Sequence, residues 1–217
     1  MPIDAAELTE ATLVEFCKEF VEHPYLCYTE HGIHALFFAR LLEKLPNSMR
    51  YFDFHGERVS AIQKEYPTEH DLGKSRRQNW DISVIKPPSE MPKGRLAYDN
   101  LPLAAVIEFG LNYGEKHILG DIARLSHDQT KMDRRLIAHF YRLSPSATRI
   151  SGRDGAPKSS TLCTCKSIQD MLKKGNNVTV YYAMIDDTGH NDSGLWKVTA
   201  KGCELLAKRN ARKDPKS

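Results

Sequence analysis

The chain has 217 residues, 41% of them hydrophobic and 27% charged, with a formal net charge of +3. That length and balance suit one globular domain with its own core and exclude a low-complexity chain. The charge is too small to establish a polyanion partner by itself, and no run of about eighteen apolar residues offers a membrane span. The N-terminal stretch MPIDAAELTEATLVEF is acidic and amphipathic, unlike a signal peptide, and five cysteines in loose positions suit reduced thiols. A cytoplasmic setting is therefore expected. Cys163 and Cys165 lack a second pair and do not read as a zinc site.

Residues 5 to 22 read as a first helix, with Leu8, Leu13, Phe16, Phe20 and Val21 near helical spacing. A second helix is expected over 29 to 45. Thr29 suits its N-cap, and Glu30 stands in the first turn, where an acid complements the helix dipole. Glu30, His34, Phe37 and Leu41 share one stripe, so Glu30 either compensates the dipole or points toward the sheet edge. His31 and His34 are expected to be partly buried or surface residues rather than ligands. Residues 48 to 66 read as a hairpin of MRYFDF and ERVSAIQKEY, turning at His55 and Gly56. The polar loop PTEHDLGKSRR follows, with Lys74, Arg76 and Arg77 at its basic end, and then the strand NWDISVI. Residues 87 to 100 carry no periodicity and read as a long connection.

LPLAAVI, from Leu101, is an apolar run suited to a strand buried on both faces. It ends in Glu108, Phe109 and Gly110. A helix is expected over 113 to 125, with Ile118, Ile122 and Leu125 as its apolar face and Lys116, Asp121 and Arg124 elsewhere. A strand over 134 to 144, a loop to 160, a helix over 161 to 174 and a strand over 176 to 185 complete the core. LWKVTA reads as an edge strand pairing back on it, and Lys201 to Lys216 as a basic tail. This order specifies an α/β layer arrangement around a mixed central sheet flanked by helices. The chain divides into an N-terminal helix (1–24), a core (25–185) and a C-terminal hairpin with its tail (186–217), all within one domain.

Two acids need an explanation. Asp81 interrupts a strand, where aspartate is depleted, and Glu108 ends a buried one, where a carboxylate is costly unless paired. A shared cation would account for both. The plainer readings pair Asp81 with Arg76 or Arg77, and let Glu108 cap the turn or pair with Lys116. Asn112 and Asp121 read as turn and helix-surface residues, and Glu65 as a neighbour at the margin of the site.

The element order, with Asp81 in NWDISVI and Glu108 in VIEFG, resembles the PD-(D/E)XK nuclease superfamily, whose fold is restriction-endonuclease-like. The resemblance spans roughly residues 25 to 185 and implies metal-dependent hydrolysis of a phosphodiester in nucleic acid, DNA rather than RNA. It implies Mg²⁺ (or Mn²⁺) on Asp81 and Glu108, with Glu30 where many members carry a further acid, and a possible homodimer. The lysine expected two residues after Glu108 is replaced by Gly110. A lysine from a neighbouring element can take its role: Lys116 is the first candidate, ahead of Lys64 and Lys86. Lys74, Arg76 and Arg77 are candidate nucleic-acid contacts. The alternative is a catalytically inactive nuclease-derived domain that binds nucleic acid or a protein partner.

Overall fold

The apolar run from Leu103 to Leu111 is buried along almost its whole length, and it forms the centre of the sheet. The computed structural model describes residues 4–68, 78–86, 101–127, 132–143, 163–172, 177–187 and 192–209. In chain order the elements are α1 (Ala5–Glu22), α2 (Glu30–Lys44), the single turn α3 (Asn47–Arg50), β1 (Tyr51–Phe54), β2 (Glu57–Ser60), β3 (Ile62–Pro67), β4 (Asn79–Ile85) and β5 (Leu103–Leu111). They continue with α4 (Glu115–Leu125), β6 (Met132–Leu143), α5 (Cys165–Leu172), β7 (Val178–Asp186), β8 (Gly194–Thr199) and β9 (Gly202–Lys208).

Among the described residues, β3 to β9 form one mixed sheet in sequence order. The meander β3–β4–β5 is antiparallel, β5–β6–β7 is parallel, and β7–β8–β9 is antiparallel again. Parallel neighbours need a crossover, which α4 and α5 supply. The protein is thus an α/β fold with a mixed central sheet flanked by helices. No described helix is long and apolar enough to cross a membrane.

Two apolar layers cover the sheet. On one face, Leu13, Phe16 and Phe20 of α1 and Ile33, Phe37 and Leu41 of α2 pack on Ile82, Ile107, Phe109, Phe140 and Tyr181. On the other, Ile118, Ile122 and Leu125 of α4 and Ile168 and Leu172 of α5 pack on Val106, Ile137, Val180 and Tyr182. Each helix is placed by the stripe it buries. Thr29 caps α2, its hydroxyl accepting the Gly32 N–H at 3.1 Å.

The structure differs from the sequence reading in two places. ERVSAIQKEY is not one strand of a hairpin: it breaks at Ala61, so that Glu57–Ser60 stays with β1 while Ile62–Pro67 joins the main sheet. Ala61 holds the break through its own backbone, donating to the Arg50 carbonyl at 2.9 Å and accepting from Ile85 N–H at 2.7 Å. At the C-terminal end, the supposed basic tail contributes β9, whose Gly202–Thr199 to Lys208–Gly194 register makes β8 an interior strand. Residues 87–100 and 145–160 lie outside the described residues.

Candidate functional site

β4 and β5 pair only as far as Ile82 and Ile107. Beyond that point β4 stays with β3, to Asn79 and Pro67, and β5 stays with β6, to Leu111 and Phe140. The two strands part at Asp81, and its side chain replaces the missing ladder: Oδ2 accepts the N–H of Phe109 at 2.7 Å. An aspartate in a strand is accounted for here by a backbone donor that would otherwise be unmet.

Glu108 lies across the gap, 1% exposed, close enough to Asp81 for the two charges to interact. Its Oε2 meets the Arg124 guanidinium at 2.8 Å, while Oε1 has no hydrogen-bond partner among the described residues. Two ionised carboxylates this close repel one another and have no proton to share. Burial first, and then the Asp81 charge, push the Glu108 carboxyl well above the usual carboxylate range. The pair calls for a proton or a cation.

Helix α4 supplies the surrounding charges. The same Arg124 nitrogen that meets Glu108 also meets Asp121 Oδ1 at 2.8 Å, and the guanidinium lies over the Trp80 ring. Asp121 is 4% exposed, and its Oδ2 stands 3.0 Å from His117 Nδ1. The Asp121 carboxylate beside it is the largest cause raising His117 above its ordinary pKa.

Helix α2 closes the opposite side. Glu30 Oε2 accepts the Leu111 N–H at 3.3 Å, and burial followed by the Asp81 charge raises its carboxyl. One turn later His34 is 1% exposed, with Nε2 at 3.7 Å from Asp81 Oδ2. Burial lowers its pKa, and the neighbouring Lys64 charge acts in the same direction. Glu65 faces Asp81 between the register pairs Lys64–Ile82 and Tyr66–Trp80. The loop before α2 is fixed from β6: Arg142 donates to the carbonyls of Pro24 and Cys27 at 2.8 Å and of Tyr28 at 3.1 Å. That clamp sets where the first turn of α2, and hence Glu30, stands.

Of the residues expected from sequence, Asp81 lies close enough to Glu108 and to Glu30 for its charge to raise both carboxyls, but the group whose ligand atoms come within 4.8 Å of one another is His34, Glu65 and Asp81. Lys116 is exposed on α4, and the cation on Glu108 is Arg124, two turns further along the same helix. Lys86 is bound to Asp133 at 2.7 Å. Asp121 is a buried partner of Arg124 and His117, not a helix-surface residue. His34, expected to be partly buried or on the surface, is buried beside Asp81. Lys74, Arg76 and Arg77 lie outside the described residues. At Gly110 a Cβ would stand 2.5 Å from His139 Nδ1, so the imidazole takes the space the expected lysine would need.

Comparison of the chain with family models, with curated proteins and with solved structures finds no match.

Proposed function

We propose that the protein hydrolyses phosphodiester bonds in nucleic acid, DNA in the first instance, by a divalent-metal mechanism of the PD-(D/E)XK type. The observation that carries this reading is the convergence of Asp81 and Glu108 where β4 and β5 part. The element order supports it: α2, the antiparallel meander β3–β4–β5, then α4 and the parallel strand β6. The donor set fits a cation, because Glu108 Oε1 and both ring nitrogens of His34 lack hydrogen-bond partners among the described residues while acids crowd them. Asp81 and Glu108 would hold Mg²⁺ or Mn²⁺, with Glu30 directly or through water. Such an ion, when bound, makes an attacking hydroxide available near neutral pH and polarises the phosphoryl group.

The remaining work falls to side chains. Asp81 is pinned by the Phe109 N–H and so holds its second oxygen in a fixed direction. Arg124 offsets the charge of Glu108 and Asp121. It stands in for part of what a lysine at 110 would supply, and Lys64 is a second cation whose charge reaches His34. His117, oriented by Asp121, offers a proton donor or acceptor beside Glu30.

One observation favours the inactive binding domain instead: Glu108 already has a cation in Arg124. Cleavage of plasmid and single-stranded DNA with Mg²⁺ or Mn²⁺, run beside Glu108→Ala, separates the two. Metal-dependent cleavage lost in the variant supports hydrolysis. Retention of DNA without cleavage supports the binding domain.

A further inference from the structure

We infer that the cation site is a mixed nitrogen–oxygen centre on the α2 side of Asp81, built by His34, Glu65 and Asp81, and selective for a transition ion such as Mn²⁺ over Mg²⁺. It rests on the preceding reading only in treating this spot as a cation site, and it puts His34 and Glu65 beside Asp81 in place of Glu108 and Glu30. One ligand atom from each of the three residues lies within 4.8 Å of the other two. Donors around one ion at about 2.1 Å stand roughly 3 to 4 Å apart, so closing the set needs shifts of about an ångström.

The independent observation is His34. The imidazole is 1% exposed, it packs beside Phe109 with ring centroids 5.0 Å apart, and neither nitrogen has a hydrogen-bond partner among the described residues. A buried histidine ordinarily satisfies at least one nitrogen, because leaving both unmet costs free energy. Here Nε2 points at Asp81 Oδ2 from 3.7 Å, too far for a hydrogen bond. A metal-ligating imidazole needs that arrangement: a neutral nitrogen aimed at a carboxylate, with space between them.

Position of the other donors agrees. Asp81 is anchored by one hydrogen bond to Oδ2 and keeps a free oxygen lone pair. Glu65 adopts φ of +56°, a left-handed conformation that costs a non-glycine residue about 1 kcal/mol, and that conformation sits opposite Asp81. Glu108 is engaged by Arg124 on the far side of the gap. A site with an imidazole among its donors favours first-row transition ions, whereas an all-oxygen set suits Mg²⁺.

The test uses the full chain and metal alone. Mn²⁺ binding is measured by titration calorimetry and by electron paramagnetic resonance, reading the nitrogen couplings of a bound imidazole. The wild type is expected to bind Mn²⁺ with a nitrogen signature and at least about tenfold more tightly than Mg²⁺. His34→Gln, which preserves side-chain polarity and bulk, should abolish that signature, and Glu65→Gln should weaken binding by about tenfold or more. His31→Gln is the control, its ring centroid 5.9 Å from that of His34, and should leave the signature in place. Unchanged far-ultraviolet circular dichroism shows that each variant is folded.

No Mn²⁺ binding, equal preference for Mg²⁺, or a nitrogen signature that survives His34→Gln overturns the inference. A protein that binds Mn²⁺ through His34 yet cleaves no nucleic acid would keep this site and sink the nuclease reading. Cleavage with a metal centre that lacks histidine nitrogen would do the reverse.

Discussion

The imidazole of His139 occupies the space in front of Gly110. The two residues are register partners on the parallel strands β6 and β5, and a Cβ on Gly110 would approach Nδ1 to 2.5 Å and Cε1 to 3.0 Å. Only a residue without a side chain fits there while His139 stays fully buried, with Nε2 2.8 Å from the Tyr113 carbonyl oxygen. The glycine is required by space, not by backbone conformation. It also explains why the cation near Glu108 arrives from α4.

Gly110→Ala should therefore destabilise the protein by about 1–3 kcal/mol, the usual cost of overpacking a core. In a His139→Ala background the same change should cost less than about 0.5 kcal/mol. Urea denaturation of the four proteins in this cycle measures the coupling. Equal costs in both backgrounds would show that the contact does not decide the residue.

His139 makes stability fall in acid. Burial, the largest cause, lowers its pKa to about 4. The unfolded chain takes up the proton near the ordinary value of about 6.5, while the folded protein does not until about 4. The neutral-histidine state costs nothing above 6.5, and stability is lost as pH falls from there toward 4. The full loss is roughly 3 kcal/mol at 1.36 kcal/mol per unit. His139→Gln should flatten thermal stability over this window relative to the wild type, as measured by melting temperature at pH 7, 6 and 5.

Glu108 acts with the opposite sign. Its folded-state carboxyl is raised by burial and by Asp81, so the folded protein holds a proton that the unfolded chain gives up near 4.5. Its contribution is greatest below about 4.5 and declines as pH rises toward the raised value. In metal-free protein, Glu108→Gln should remove that decline, so that the variant loses less stability between pH 5 and pH 8 than the wild type does. A wild-type profile unaltered by the substitution would contradict this.

Arg124 joins Glu108 to Asp121, two acids that are almost fully buried. Removing it leaves two carboxyls in the core without their cation. Arg124→Ala should cost about 3–5 kcal/mol, and Arg124→Lys should recover only part of that, because one ammonium cannot reproduce the planar guanidinium fork. Denaturant midpoints for the two variants check the order.

Much of this arrangement was legible in the residues themselves. The unbroken apolar run of β5 marks the centre of the sheet, and Asp81 inside β4 and Glu108 inside β5 stand where the two strands part. The stripe of α2 carries Glu30 and His34 inward with Phe37 and Leu41. Arg124 and Asp121 were harder to see. With His117 they form a polar stripe at i, i+4 and i+7 beside the apolar stripe of α4, and from sequence such a stripe looks like a solvated flank. Only the tertiary packing aims it at Glu108. β9 was hidden for another reason: an edge strand has one exposed side and little alternation, and its half-exposed residues merge into the basic sequence that follows. The break at Ala61 depends on two backbone hydrogen bonds, which leave no mark in side-chain pattern.

The most direct test of the central claim is DNA cleavage in Mn²⁺ and in Mg²⁺ by wild type and by Asp81→Asn. Asparagine can still accept the Phe109 N–H through its amide oxygen, so the strand gap is kept while the negative charge is lost. The wild type should cleave in a metal-dependent way, and the folded variant should be slower by about a thousandfold, the scale on which single catalytic groups act. A folded wild type that cleaves nothing with either ion, or a variant that cleaves as fast as the wild type, would contradict that claim.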